Sequence, residues 1–327
     1  TFTIGDTTYT AWLFVTKVSE SLRRVVVQIE WEMEGQSFSD RSESIISIVS
    51  AGGITAVHQP IFPDAAIVAT GNVALLPGQT ASNPATAHSA SIWLNQSFSN
   101  LDAVVDGDIV AGGVVNATPE FVYGRIEQNA GSPVNVPSVT DLEVWRTSMR
   151  DEAMSGSTHT GNLVIADTTI TAPMYVDGTL EFQGTVHIAG SGPVFASGMV
   201  RLQAGALVTA DGAHLVSDQT IRFEDGAEYR VAEATSGGAI AFDSSLQALY
   251  LRGGADGTVQ GLAYAPYGGV TLAGTATWHG ALVAHGSAGL GEVSMGGGVV
   301  VEYPANLLPT TSIVNELRPP PVASVCG

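Results

Sequence analysis

Residues 175–216 read YVDGTLEFQGTVHIAGSGPVFASGMVRLQAGALVTADGAHLV, and two rhythms in this stretch decide the fold. Glycines recur as Gly178, Gly184, Gly190, Gly198, Gly205 and Gly212. Between them apolar residues alternate with other types: Leu180 and Phe182, Val186 and Ile188, Val200 and Leu202. A period of two sends successive side chains to opposite faces of a strand. Glycine at a corner lets the chain turn within one or two residues, because φ > 0 brings no Cβ clash there. No interval between corners is long enough for a helix. Strands this short cannot bury an apolar face alone, so successive segments must stack coil upon coil as a parallel β-solenoid.

The same rhythm returns at 66–76 (AIVATGNVALL), 90–115 (ASIWLNQSFSNLDAVVDGDIVAGGVV), 261–286 (GLAYAPYGGVTLAGTATWHGALVAHG) and 292–303 (EVSMGGGVVVEY). The solenoid is therefore expected to form the bulk of the chain, over 54–305. Composition agrees: 327 residues, 45% of them hydrophobic, with 38 glycines, suffice for a large buried core. Cys326 is the only cysteine, so neither an intrachain disulfide nor a thiolate metal site is available. Lys17 is the single lysine beside eleven arginines, and the formal charge is −19. That balance opposes nonspecific binding to nucleic acid or anionic membrane. Charged residues make up only 13% of the chain, so it is poor in bases rather than crowded with acids.

The first fifty residues differ in kind. Strands are predicted over 9–18 and 23–33, where Val25, Val27, Ile29 and Trp31 alternate with Arg24, Val26, Gln28, Glu30 and Glu32. Residues 19–21 (SES) are short enough to close a hairpin, and the EGQS turn before Ser37 allows a third strand through 44–49. A small antiparallel sheet is expected over 1–53, with the domain boundary near Gly52 and Gly53. The stretch 306–327 is read as a tail whose residues 311–317 return a strand to that sheet, making the solenoid an insertion; the PPP run then ends order.

One segment breaks the pattern as a helix. In TDLEVWRTSMRDEAMSG, Leu142, Trp145 and Met149 share a face, Thr140 and Glu143 form a capping box, and Gly156 is a stop signal. A helix near 140–155 is expected to cap one end of the solenoid; a hinge or lid is the alternative.

LRRVVVQIEWEMEGQSFSDRSESIISIVS at 22–50 resembles the C-terminal sheet of type IV pilin-like proteins. The motif GxxYAPxGxVxLxGxxxxxGAxVA resembles the glycine-rich solenoid of pilus-assembly minor pilins. Gly261, Tyr264, Ala265, Pro266, Gly268 or Gly269, Val270, Leu272, Gly274, Gly280, Ala281 and Val283 match it. The resemblance implies a non-enzymatic subunit of an extracellular, cell-surface pilus or related filament, presenting a rigid solenoid head for adhesion or ligand binding. Its implied partners are other pilin subunits and a surface polymer or DNA. Such pilins meet the membrane through an N-terminal apolar helix; this chain lacks one, and a soluble truncation is the expectation, with no secretory signal.

Two alternatives are tested against the residues. A pilus-tip DNA receptor needs a basic stripe; Arg222, Arg230 and Arg252 are the candidate ligand-binding residues, on neighbouring coils with acids beside them. A carbohydrate-active β-helix enzyme needs convergent carboxylates. The acids Asp177, Asp211, Asp218 and Asp243 fall at corners, where an aspartate bonding its own turn explains them. Only Glu224, Asp225 and Glu228, flanked by Arg222 and Arg230, form a cluster, read as a lyase or cation site or as a self-paired patch. GGADGTV at 253–259 touches a calcium-binding repeat in one copy. His279 and His285 are read as outward surface residues without metal spacing, and Trp278 as core or as a sugar-stacking aromatic. No catalytic, metal-binding or cofactor-binding residue is assigned, and no cofactor is expected.

Overall fold

The structure is a computed structural model. It describes residues 2–4, 7–17, 22–33, 36–47 and 65–303, less 76–85, 89–90, 101–102, 135–136, 233–236, 254–257, 276, 288 and 297. The chain divides into two compact units, Thr1–Ile61 and Phe62–Gly327. Gly52 and Gly53, the strand expected at 311–317 and Cys326 lie outside the described residues.

In the first unit, β1 (Phe2–Ile4), β2 (Thr7–Lys17), β3 (Leu22–Met33) and β4 (Gln36–Ser47) pair antiparallel in the order β1-β2-β3-β4. Tyr9 faces Trp31 and Val15 faces Val25 in register. The short 18–21 link suits such a hairpin.

The second unit is a parallel β-solenoid of about ten coils, each with three strands. On the first face, 157–160 pairs with 174–177, and the ladder continues through 194–196, 214–217, 238–241, 262–264 and 281–284. On the second, 163–166 leads through 180–182, 200–202, 221–223, 249–251 and 270–272 to 293–295. The third runs from 168–171 through 185–188, 207–210 and 228–231 towards 258–259, 277–279 and 300–302.

Spatial order then departs from chain order. The last coil of this run pairs with the first strands of the unit: Leu282 with Ile67, Val293 with Val73, and Val300 with Thr86. From there the stack goes on through 92–94 and 109–111 to 126–127. The chain thus enters the stack in its middle at Ala65 and winds to one end. It crosses to the opposite end along the helix at 139–155 and winds back to Tyr303, one coil from where it began.

Inward residues form one continuous core, with Leu180, Phe182, Val186, Ile188, Val200, Leu202, Phe223, Tyr229 and Trp278 all closed to solvent. The inward position that ends each first-face strand is small: Ala196, Ser217, Ala241, Ala265, Ala284 and Ala69 follow one another. Ser217, the polar member of that column, donates its hydroxyl to the Gly198 carbonyl at 2.7 Å, which satisfies it in the interior. At the end built by Ser157–Thr160 and Leu163–Thr171, each strand pairs with one neighbour among the described residues. That edge is bulged at Asp167 (φ 47°), which blunts edge-to-edge pairing.

The helix α1 (Val139–Ser155) is capped two residues earlier than the capping box expected at Thr140: Ser138 is the cap, its hydroxyl accepting from Asp141 N at 3.1 Å. Leu142, Trp145 and Met149 are buried as expected, with Ala153, and Gly156 ends the helix. Its place differs from the expectation. Rather than capping an end, it lies lengthwise on the first face. Tyr267 donates to Glu143 Oε1 (2.7 Å), Trp145 meets Tyr264 and Phe242, Arg146 holds Asp218, and Arg150 stands over Tyr175. At about 1.5 Å per residue, its 17 residues extend about 26 Å, or about five strand spacings of 4.8 Å. The five coils from Tyr175 to Tyr264 are four such spacings apart, so the helix is long enough to cover them.

The reason is the outer column of this face. Tyr175, Phe195, Val216, Ile240, Tyr264, Val283 and Val68 succeed one another in register, and every one is buried. A solenoid face that is apolar on both sides needs a second layer, and α1 supplies it. The segment before α1 extends the cover: Val134 is buried, and its N–H and C=O bond the Asn95 side chain at 2.8 and 2.9 Å.

Candidate functional site

With the first face sealed, the second and third faces carry the exposed columns. Aligning the apolar-x-apolar triplets LEF, VRL, IRF, LYL, VTL and VSM gives the outward column of the second face: Glu181, Arg201, Arg222, Tyr250, Thr271 and Ser294, one residue per coil. The column continues through Ala74, Ser99 and Asn116. On the third face the order is Thr169, His187, Thr209 and Arg230, and further along the stack Gln260, His279 and Glu302.

The three candidate arginines are therefore not one stripe. Arg222 and Arg252 belong to the second face and Arg230 to the third. Arg230 pairs with Glu228, and Arg252 Nε lies 3.3 Å from Asp225 Oδ1. Arg201, which the sequence reading passed over, takes Glu224, with Nε to Oε1 at 3.0 Å. The acidic cluster Glu224, Asp225 and Glu228 is thus shared among three different arginines on two faces, the self-paired arrangement. Exposed pairs of this kind contribute little to stability.

Arg222 is different. It is half-buried, its Nε is closed to solvent, and it has neither a hydrogen bond nor an ion pair among the described residues. Arg201 stands on one side of it and Tyr250 on the other. Tyr250 and Arg201 carry no signal as single residues. Stacking the triplets on their apolar positions is what finds them.

Most corner acids do not bond their own turns. Asp167 Oδ1 accepts from Thr185 N (2.8 Å), Asp108 Oδ1 from Arg125 N (2.7 Å) and Asp211 Oδ2 from Gly190 N (3.1 Å), each on a neighbouring coil. Asp177 accepts from the Ser197 hydroxyl at 2.9 Å, and Asp218 from Arg146 Nε at 2.6 Å. That bond is the main cause of the raised pKa of Arg146. Asp243 alone of the four corner aspartates follows the expectation, accepting from Ser244 N and the Ser245 hydroxyl. Carboxylates that stitch coil to coil are structural.

The histidines divide as well. His279 is exposed in part, its Nδ1 2.8 Å from Glu302 Oε2. His285, expected at the surface, is buried against Tyr264, whose hydroxyl lies 3.1 Å from Nδ1. The turn after 277–284 carries it edge-on against the Tyr264 ring. Burial lowers His285 to about 3 and His214 to about 4, so both imidazoles are neutral. Trp278 is core, its indole N–H donating to the Gly261 carbonyl at 3.0 Å. Residues 254–257 of GGADGTV lie outside the described residues. Among the described residues, no group of three or more His, Cys, Asp or Glu side chains is placed to hold a metal ion, and no helix is long and apolar enough to cross a membrane.

Comparison with protein-family models, curated proteins and solved structures finds no match for this chain.

Proposed function

We propose that this chain is a non-enzymatic subunit of a type IV pilus or related extracellular surface filament, with the solenoid as its rigid head. The pilin-like motifs of 22–50 and 261–284 suggest the filament, with other pilin subunits as partners. One observation supports a rigid head: the described solenoid runs from Ala65 to Tyr303, and these two residues lie on coils joined by the Val300–Thr86 and Leu282–Ile67 pairs. A body of about ten coils offers its outer columns on the second and third faces to a ligand. The second face supports binding better than the third, because its central arginine has no partner among the described residues.

The test is fractionation. Filaments sheared from the source cells should carry this chain, and deletion of a filament-assembly ATPase should remove it from the sheared fraction. Recovery only in the cytosol would refute the reading. Arg230 stands on another face, and Arg201 and Arg252, which share the second face with Arg222, are each offset by an acid, so the DNA-receptor alternative is the less favoured reading.

A further inference from the structure

We infer that the second face carries a subsite for an acidic sugar residue, centred on Arg222 with Arg201 and Tyr250 as its neighbours. This deepens the adhesive reading above by naming the ligand class, and it rests on that reading only for its biological setting.

Arg201, Arg222 and Tyr250 stand in register on successive coils, about 4.8 Å apart. Like charges directly opposite in a ladder are unfavourable. The fold offsets one of them, Arg201, with Glu224 at 3.0 Å. On the same face Arg252 has Asp225, and on the next face Arg230 has Glu228. Arg222 is left with an Nε shut off from water and no acceptor among the described residues. The Arg222 side chain is only half-buried, so an arriving carboxylate or sulfate would meet the terminal nitrogens of its guanidinium and relieve the like-charge contact.

What surrounds the cation selects the ligand. Glu181, Glu224 and Asp225 lie on the same face and the whole chain carries −19. A duplex brings one phosphate per about 1.7 Å of axis and would press its charges on those acids. An acidic sugar brings one anion per residue, together with a ring face that an aromatic side chain can cover. Tyr250 is placed for that face. Beyond it the column continues as Thr271, Ser294, Ala74, Ser99 and Asn116, uncharged and mostly hydrogen-bonding. A polysaccharide laid along the solenoid axis would seat its anion on Arg222 and its hydroxyls on this run.

The experiment is calorimetric titration of the whole chain with galacturonate oligomers, with dextran sulfate, neutral dextran and a DNA duplex as the other arms. Galacturonate should bind and neutral dextran should not. Arg222→Gln should weaken binding by about tenfold or more, the loss of a charge-assisted hydrogen bond. Arg222→Lys should recover only part, since an ammonium lacks the planar fork. Arg230→Gln, on the third face, should leave affinity unchanged, and equal melting temperatures should show that all variants fold. Preference for dextran sulfate with the same Arg222 dependence supports the subsite and makes its anion a sulfate. No binding of either acidic polymer at low salt, binding indifferent to Arg222→Gln, or tighter Arg222-dependent binding of the duplex overturns it. Sugar binding without filament co-fractionation would sustain the subsite and refute the filament; the reverse outcome would do the opposite.

Discussion

The N–H of Thr70 donates to the carbonyl of Ala284 at 2.9 Å, across 214 residues of chain. Around it the Thr70 hydroxyl donates to the Gly286 carbonyl (2.6 Å), Gly71 N to the Gly291 carbonyl (2.7 Å), and the Asn72 amide to Glu292 Oε1 (3.0 Å). These bonds close a seam between the first and last coils that the chain makes. Contacts this distant in sequence carry a high loop-closure cost, so the seam should form late in folding.

Gly291 sits in that seam with no room for a side chain. A Cβ there would lie 2.0 Å from Thr70 Oγ1 and 2.8 Å from the Gly286 backbone. Gly291→Ala should therefore destabilise by about 1–3 kcal/mol, the usual cost of overpacking. Thr70→Ala in the same chain should recover part of the loss, because it removes the clashing oxygen. Urea unfolding of the two single variants and the double variant gives the coupling.

Trp145 anchors α1 on the first face, its ring 5.6 Å from Tyr264 and 5.5 Å from Phe242. Trp145→Ala should cost about 3–5 kcal/mol and uncover part of the apolar outer column. Binding of a hydrophobic dye should rise at the same time. Val139→Ser, at a position 68% exposed, should change neither readout.

Much of this fold is legible in local sequence, because each part of it is local. Glycine corners and apolar-x-apolar triplets mark the coils, and Leu142, Trp145 and Met149 mark the buried face of α1. Coil order is another matter. Each triplet presents the same two inward side chains and the same backbone ladder, so IVA at 67–69 fits beside LVA at 282–284 as well as beside its own successor. The partner is settled by closure of the whole stack, which no single segment encodes. The place of α1 was hidden for a related reason. The outer positions it covers, Tyr175, Phe195, Val216, Ile240 and Tyr264, form an apolar column only once the coils are superposed. Arg222 was visible as a candidate, but its isolation depends on Glu224 turning to Arg201, a contact between coils.

Two buried imidazoles make stability depend on pH. His214 and His285 are neutral in the fold, their pKa values lowered by burial from 6.5 to about 4 and about 3. Unfolding exposes them, so below about 6.5 the unfolded chain binds more protons than the folded one. Their contribution is full above about pH 6.5. It declines as pH falls towards 4 for His214 and towards 3 for His285, by up to about 1.4 kcal/mol per pH unit for each. Unfolding measured at pH 7, 5.5 and 4.5 should show a flatter profile for His214→Gln than for the parent chain. Identical profiles would mean that His214 is not shielded as described.

A disulfide across the seam tests the topology most directly, because a solenoid wound in plain chain order would put Asn72 and Glu292 at opposite ends. With Cys326→Ser as background, Asn72→Cys and Glu292→Cys should oxidise to an intramolecular bridge in the monomer. Faster migration on a non-reducing gel and a linked 72–292 peptide by mass spectrometry would report it. Bridges only between molecules, or free thiols after mild oxidation of the folded protein, would contradict the permuted stack.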